Sequence, residues 1–198
     1  MNIKRRSMVH KLRIGTAQPG ATDSCRFPRT TLLALAMAIC LCIPAPPAAA
    51  ATYAEQEIKA AYLYNFGKFV EWPEGKSLLH LCLLGKSPVA GALEALKDKN
   101  VGERKLVLVY PDSSSTLSEC DMLFLSEAED RNLERILAIT QSRRVMVVGD
   151  GDGYGQRGVM FNFFQEGGKI RFEINYLAVR RSGLKISSKL LSLGKMVE

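Results

Sequence analysis

Four short apolar runs, at residues 78–84, 105–110, 122–125 and 145–148, are separated by segments of helical spacing or turn chemistry, and this alternation limits the folds open to the chain. The first run, Leu78-Leu79-His80-Leu81-Cys82-Leu83-Leu84, is too continuous to have a wet face. Such a strand belongs in the middle of a sheet, covered on both sides. Pro88, acceptable in a first helical turn, opens a helix that runs through Lys97. Residues 132–141 give a second helix after the third run, and Pro111-Asp112-Ser113-Ser114-Ser115-Thr116 is a loop on turn chemistry. Ahead of these, Ile58, Ala61, Tyr62, Asn65 or Phe66, and Phe69 recur at three- and four-residue spacing. They predict an amphipathic helix over 54–70, stopped before Trp72-Pro73. The whole pattern predicts an α/β fold: a mostly parallel sheet with helices on both faces.

After residue 149 the rhythm changes. Residues 149–158 are rich in Gly and Asp and read as a mobile surface loop. Gly153-Tyr154-Gly155-Gln156-Arg157-Gly158 matches G-x-G-x-x-G, but the dinucleotide fingerprint must open a helix, and here a strand follows. Calcium is excluded on similar grounds. Asp150 and Asp152 stand at the first and third positions of an EF-hand-like loop, but Tyr154 takes the fifth and Phe161 the twelfth, where a bidentate Glu is required. Strands at 159–164 and 169–175, joined by Gln165-Glu166-Gly167-Gly168, predict a C-terminal antiparallel hairpin. Helical turns over 176–181 and 187–196 are expected to close the chain, the second started by Ser187-Ser188.

The N-terminus has a separate job. An uncharged apolar core at residues 31–43 follows seven basic residues and one acid, and leads through small residues and prolines to Ala48-Ala49-Ala50-Ala51. This is the three-part pattern of a cleavable signal peptide. The core is too short for a membrane helix, which needs about 20 residues to cross about 30 Å of hydrocarbon. Residues 1–51 are therefore expected to be removed near Ala50 or Ala51, with Ala54 as the late option, leaving 52–198 as a single domain. Arg5-Arg6 lies far from the apolar core, as a twin-arginine leader would not. Ile39 precedes Cys40 and Leu41 precedes Cys42, so neither cysteine has the small neighbour of a lipid site.

Processing changes the charge and the cysteine count. The chain carries 27 Lys plus Arg against 20 Asp plus Glu, with a pI near 9.2. Seven of those bases and Asp23 lie in the leader, leaving 20 against 19, or about +1. The basicity is thus a property of the targeting segment, and neither nucleic acid nor direct membrane insertion after processing is implied. Cys25, Cys40 and Cys42 leave with the leader, so Cys82 and Cys120 remain. In an oxidising compartment two cysteines are a disulfide candidate; the other reading is two small buried residues that never bond.

Chemistry is sparse. Only His10 and His80 exist, and only His80 outlasts processing, so neither a His cluster nor a Ser/His/Asp triad can be assembled. His80 reads as a hydrogen-bonded core histidine, and Glu127 with Asp130 as acids favoured at a helix N-terminus. No catalytic residue, metal ligand or cofactor is assigned. The aromatics offer more. Tyr62, Phe66 and Phe69 share a helical face while Tyr64 lies away from it, so Tyr64 and Trp72 are either aromatic surface left for a partner or side chains packed under loops. Arg180-Arg181, with Lys185, is either a recognition patch or a solvated helix end.

Arg171-Phe172-Glu173-Ile174-Asn175, followed by Ser182-Gly183-Leu184-Lys185-Ile186-Ser187-Ser188-Lys189-Leu190-Leu191, resembles the C-terminal signature of the YfiR-like family. Ala60-Ala61-Tyr62-Leu63-Tyr64-Asn65-Phe66-Gly67-Lys68-Phe69-Val70-Glu71-Trp72-Pro73 is similar to that family's opening helix. The resemblance implies a small periplasmic regulator, not an enzyme, that binds the periplasmic region of an inner-membrane diguanylate cyclase and lowers cyclic-di-GMP signalling. It also implies a Cys82–Cys120 bridge. The second cysteine pair that some members carry near the strand at 159–164 is missing here. The alternative is a periplasmic ligand-binding or accessory subunit of another sensor, such as a histidine kinase, or of an outer-membrane receptor. Pairing of two copies is left open.

Overall fold

The computed structural model describes residues 48–198 apart from position 113, so the leader expected over residues 1–51 lies outside the described residues as far as position 47. In chain order the elements are α1 (Ala48–Lys68), β1 (Val70–Glu71), β2 (Leu78–Leu84), α2 (Val89–Glu94), β3 (Asn100–Val101), β4 (Arg104–Val109) and β5 (Met122–Leu125). They continue with α3 (Leu133–Thr140), β6 (Met146–Gly149), β7 (Phe161–Glu166), β8 (Lys169–Asn175), α4 (Tyr176–Ser182), β9 (Lys185–Ile186), α5 (Ser188–Leu191) and β10 (Lys195–Val197). Eight strands form one sheet in the order β10-β8-β7-β6-β5-β2-β4-β3, and β1 pairs with β9 in a separate two-stranded ladder.

The fold is α/β, with the mostly parallel sheet that the alternation predicts. β4, β2, β5, β6 and β7 run parallel to one another. β7 and β8 form the antiparallel C-terminal hairpin, with Glu166 opposite Lys169. Its two connecting residues, Gly167 and Gly168, have φ of 58° and 72°, as a tight hairpin turn requires at both central positions. Helices cover both faces because the strand residues alternate between two cores. Leu81, Leu83, Met122, Phe124, Met146 and Val148 pack with Leu63 and Phe66 of α1. Cys82, Leu123, Leu125 and Val147 pack with Leu133, Ile136 and Leu137 of α3.

Several elements differ from the sequence reading, each for a local reason. Ile58, placed on the inner stripe of α1, is 45% exposed. The helix instead meets the sheet through Ala60, Leu63, Phe66 and Gly67, where an added Cβ would lie only 2.9 Å from Val101 Cγ1. That close approach fixes the helix rotation and turns Lys59 inward. Residues 114–116, read as the end of a loop, belong to a 3₁₀ turn over Ser114–Glu119. β3 and β10 were not foreseen: they are two and three residues long, too short for periodicity, and β10 replaces the end of an expected helical turn. The loop after β6 is at the surface through Asp152, Gly153, Gln156 and Arg157, but Tyr154 at its centre is fully buried. His80 is not a core histidine either. Its side chain is 32% exposed, and its Nδ1 stands 3.7 Å from Asp121 Oδ2 without a hydrogen bond.

Candidate functional site

In a parallel sheet ordered β4-β2-β5-β6-β7 the direction of growth reverses between β2 and β5, and ligands of such folds sit outside the carboxyl ends of the strands at that point. Here the crevice is filled by the chain itself. A Cβ on Gly85 would lie 3.1 Å from both Ser126 Cβ and Glu129 Cγ, and Ser126 Oγ donates to Lys86 O at 3.2 Å. Beside it, Asp150 accepts from the Glu127 N–H at 3.2 Å and from Lys59 Nζ at 3.1 Å, while Lys59 also pairs with Glu55 at 2.9 Å. Burial pulls the Lys59 pKa down, but the hydrogen bonds and charges of Glu55 and Asp150 outweigh it, and the net direction is upward. Among the described residues no three His, Cys, Asp or Glu side chains converge as a metal ion would need.

The larger open feature is on another corner. α1 ends at Lys68, and Val70–Glu71 then pair antiparallel with Ile186–Lys185, so the end of the first helix is stitched to the segment after α4. Ser187 N–H donates to Phe69 O at 2.9 Å and tightens the joint. A groove of ≈ 580 Å³ opens there, lined by Glu71, Trp72, Pro73, Glu74, Arg144, Gly183, Leu184 and Lys185. Trp72 also lines a neighbouring groove of ≈ 190 Å³, together with Gly67, Lys68, Val70 and residues 101–104. It is therefore the wall between two depressions.

Each residue singled out from the sequence has a definite place. Trp72 is half-buried, and its Nε1 donates to Gly67 O at 2.7 Å. Tyr64 is also half-buried; its hydroxyl donates to Asn100 O at 2.8 Å, and Lys68 Nζ lies 4.1 Å from its ring centroid. Both side chains are packed against the core yet partly exposed, and their polar tips are satisfied internally. Arg180 and Arg181 are exposed in the last turn of α4, whose start is capped by Asn175 accepting from Ala178 N–H and whose end is Gly183 at φ 67°. Gly183, Leu184 and Lys185 carry the chain from these arginines into the groove that Trp72 lines. Tyr64 stands apart from them, tied to β3. Cys82 and Cys120 are joined in a disulfide with a Cα–Cα separation of 5.8 Å, linking β2 to the residue before Asp121 and β5.

Sequence reasoning missed Arg144, which lines the groove, and Arg143 beside it. The Arg143-Arg144 pair was visible as a basic dipeptide after a helix, but nothing local revealed that the turn at 141–143 packs on α4. Lys185, by contrast, is already engaged, 3.5 Å from Glu71.

A family model described as YfiR/HmsC-like matches residues 56–195, from within α1 into β10. Among solved structures, a conserved domain protein from Vibrio cholerae O1 biovar eltor str. N16961 is similar with a TM-score of 0.48 and 13% identity, over 72% of this chain and 60% of that one. The ABC domain in complex with L-Trp from Streptococcus pneumoniae has a TM-score of 0.48 and 8% identity, over 73% of this chain and 62% of that one. The chain thus spans about three fifths of the length of each of these two proteins.

Proposed function

The chain belongs to the YfiR/HmsC-like family, a family of periplasmic regulators of diguanylate cyclase signalling, and from that premise we propose that it restrains an inner-membrane diguanylate cyclase by binding the cyclase's periplasmic region. The exported form in this reading is residues 52–198, one domain without its leader. The observation that carries it is the extent of the family match, which takes in the helix bearing Tyr64, the Trp72 corner, both cysteines and α4. Restraint works by contact. A bound regulator shifts its partner toward an inactive arrangement only as far as it binds that arrangement more tightly, and moving a two-state sensor from mostly active to mostly inactive takes a differential affinity of roughly 10⁴-fold.

That magnitude bears on where the contact lies. A stable protein interface buries about 1,200–2,000 Å² in total, more than a single groove supplies. The two depressions divided by Trp72 give a concave surface on which a half-open indole can anchor, and aromatic anchors of this kind carry a large share of interface energy. Tyr64 on one flank and Arg180 and Arg181 on the other mark the extent of the proposed footprint.

Deleting the gene should raise cyclic-di-GMP and adhesive growth in a strain with the cognate cyclase and leave both unchanged in a strain without it. Complementation with Trp72→Ala should restore less repression than the wild-type gene at equal protein level. Unchanged cyclic-di-GMP on deletion, in every condition where the protein is made, would leave the accessory-subunit reading in its place.

A further inference from the structure

We infer that the corner built from α4, the turn at 141–143 and the Trp72 groove is a receptor for an acidic, extended segment of a protein partner, gripped by Arg143, Arg144, Arg180 and Arg181. The inference rests on the regulatory reading above and names the chemistry of the partner segment.

Three observations meet there. All four arginines are exposed, and among the described residues none of them forms an ion pair, whereas Arg157 is held by Asp130 and Glu134 and Arg171 by Glu166. The two pairs are distant in sequence but the fold brings them together: the Gln141–Arg143 turn packs on α4, and Arg144 Nε lies 3.6 Å from where a Cβ on Gly183 would stand. The groove that Arg144 lines has Trp72, Pro73 and Leu184 among its walls, so apolar side chains can be seated beside the charged one.

Two arginines in the last turn would be enough to complement the dipole of a seven-residue helix. Arg143, in the last turn of the 141–143 helix, has the same duty there, but Arg144, at the left-handed C-cap, stands against Gly183 and lines the groove. Guanidinium groups meet carboxylates through two parallel hydrogen bonds, a geometry lysine lacks, and an all-arginine corner suits carboxylates on a chain whose spacing is fixed. A concave groove of ≈ 580 Å³ admits a polypeptide segment and excludes a flat bilayer, which favours a protein partner over an anionic lipid surface. The carboxylates lining the groove are Glu71, already 3.5 Å from Lys185, and Glu74, which has no ion pair among the described residues and would repel the incoming acids.

The test uses the processed protein from the periplasmic fraction and a short fluorescein-labelled peptide of alternating glutamate and leucine, followed by anisotropy. Replacing all four arginines by Gln should weaken binding by roughly tenfold, the sum expected of four exposed charge pairs. Glu74→Gln should tighten it. Arg131→Gln with Arg135→Gln, two exposed bases near the start of α3, should leave it unchanged, and a peptide with Gln in place of Glu should show the same roughly tenfold loss. Equal loss per charge removed in the Arg131/Arg135 and the four-arginine variants would reduce the effect to net charge and overturn the inference, as would unchanged binding in the four-arginine variant with a wild-type melting curve. Arginine-dependent binding to phosphatidylcholine vesicles containing phosphatidylglycerol, without peptide binding, would assign the corner to a membrane and overturn it too. The deletion phenotype is read separately: if it holds while the peptide result fails, only the acidic-segment inference falls.

Discussion

Lys59 is a buried ammonium whose partners come from two directions, Glu55 one turn back on α1 and Asp150 just past β6. Because its pKa is raised above 10.5 in the folded protein, the native state holds that proton more tightly than the unfolded chain does. The stabilisation is therefore complete at neutral pH and is lost as pH climbs from 10.5 through the folded value. Tyr154 acts in the same direction. Burial first, and then the charge of Asp130, push its phenol from 10.0 up to about 12, so stability falls across that interval as well. Urea midpoints should be flat from this pair below pH 10 and decline above it. Lys59→Met should cost about 1–3 kcal/mol at pH 7 by leaving two carboxylates without their cation, and its alkaline decline should be shallower than the wild type's. An equal slope would show that Lys59 takes no part. At Cys82 and Cys120, thiol labelling of denatured, unreduced protein should find neither sulfur, and Cys82→Ser with Cys120→Ser should lose about 2–4 kcal/mol. Quantitative labelling of both would mean that they are merely packed.

Among the elements, the segment between β6 and β7 shows how far local sequence can mislead. Its glycines and aspartates have the composition of a solvated loop, yet the Tyr154 ring fills the space beside Gly149 and Gly151, where added Cβ atoms would come within 2.6 Å and 2.4 Å of it. The hydroxyl reaches Glu127 O at 3.4 Å. Asn162 Nδ2 donates to Gly151 O at 2.9 Å, and Asn175 Nδ2 to Gly155 O at 2.8 Å, so the hairpin strands hold the segment from beneath. Gly151→Ala should accordingly cost about 1–3 kcal/mol by overlap with the ring, read as a shifted urea midpoint; an unshifted midpoint would show that the ring moves aside freely. β2, β5 and β6 were legible because continuous apolar runs of strand length leave few alternatives, and the hairpin because two glycines sit between alternating residues. The rotation of α1, the burial of Tyr154 and the meeting of Arg143-Arg144 with Arg180-Arg181 were not, since each is decided by contacts between segments far apart in sequence. The candidate site was half visible: Trp72, Arg180 and Arg181 stood out as residue types, while the groove that relates them depends on the β1–β9 ladder, two residues on each side.

At the scale of the whole molecule, both faces of the sheet are covered and Ser126, Glu129 and the Lys59–Asp150 pair pack into the crevice at its reversal point, while a groove of ≈ 580 Å³ opens at the Trp72 corner. That corner is the proposed seat of the protein partner. The measurement that tests it most directly is the rate of cyclic-di-GMP synthesis by the cognate cyclase reconstituted in lipid nanodiscs, followed as the processed protein is titrated onto the periplasmic side. The rate should fall to a saturating minimum with wild-type protein, and Trp72→Ala should need a higher concentration to reach the same point. A rate that stays constant across the titration, with both proteins folded and the cyclase active, would contradict the claim that this chain restrains the enzyme by contact.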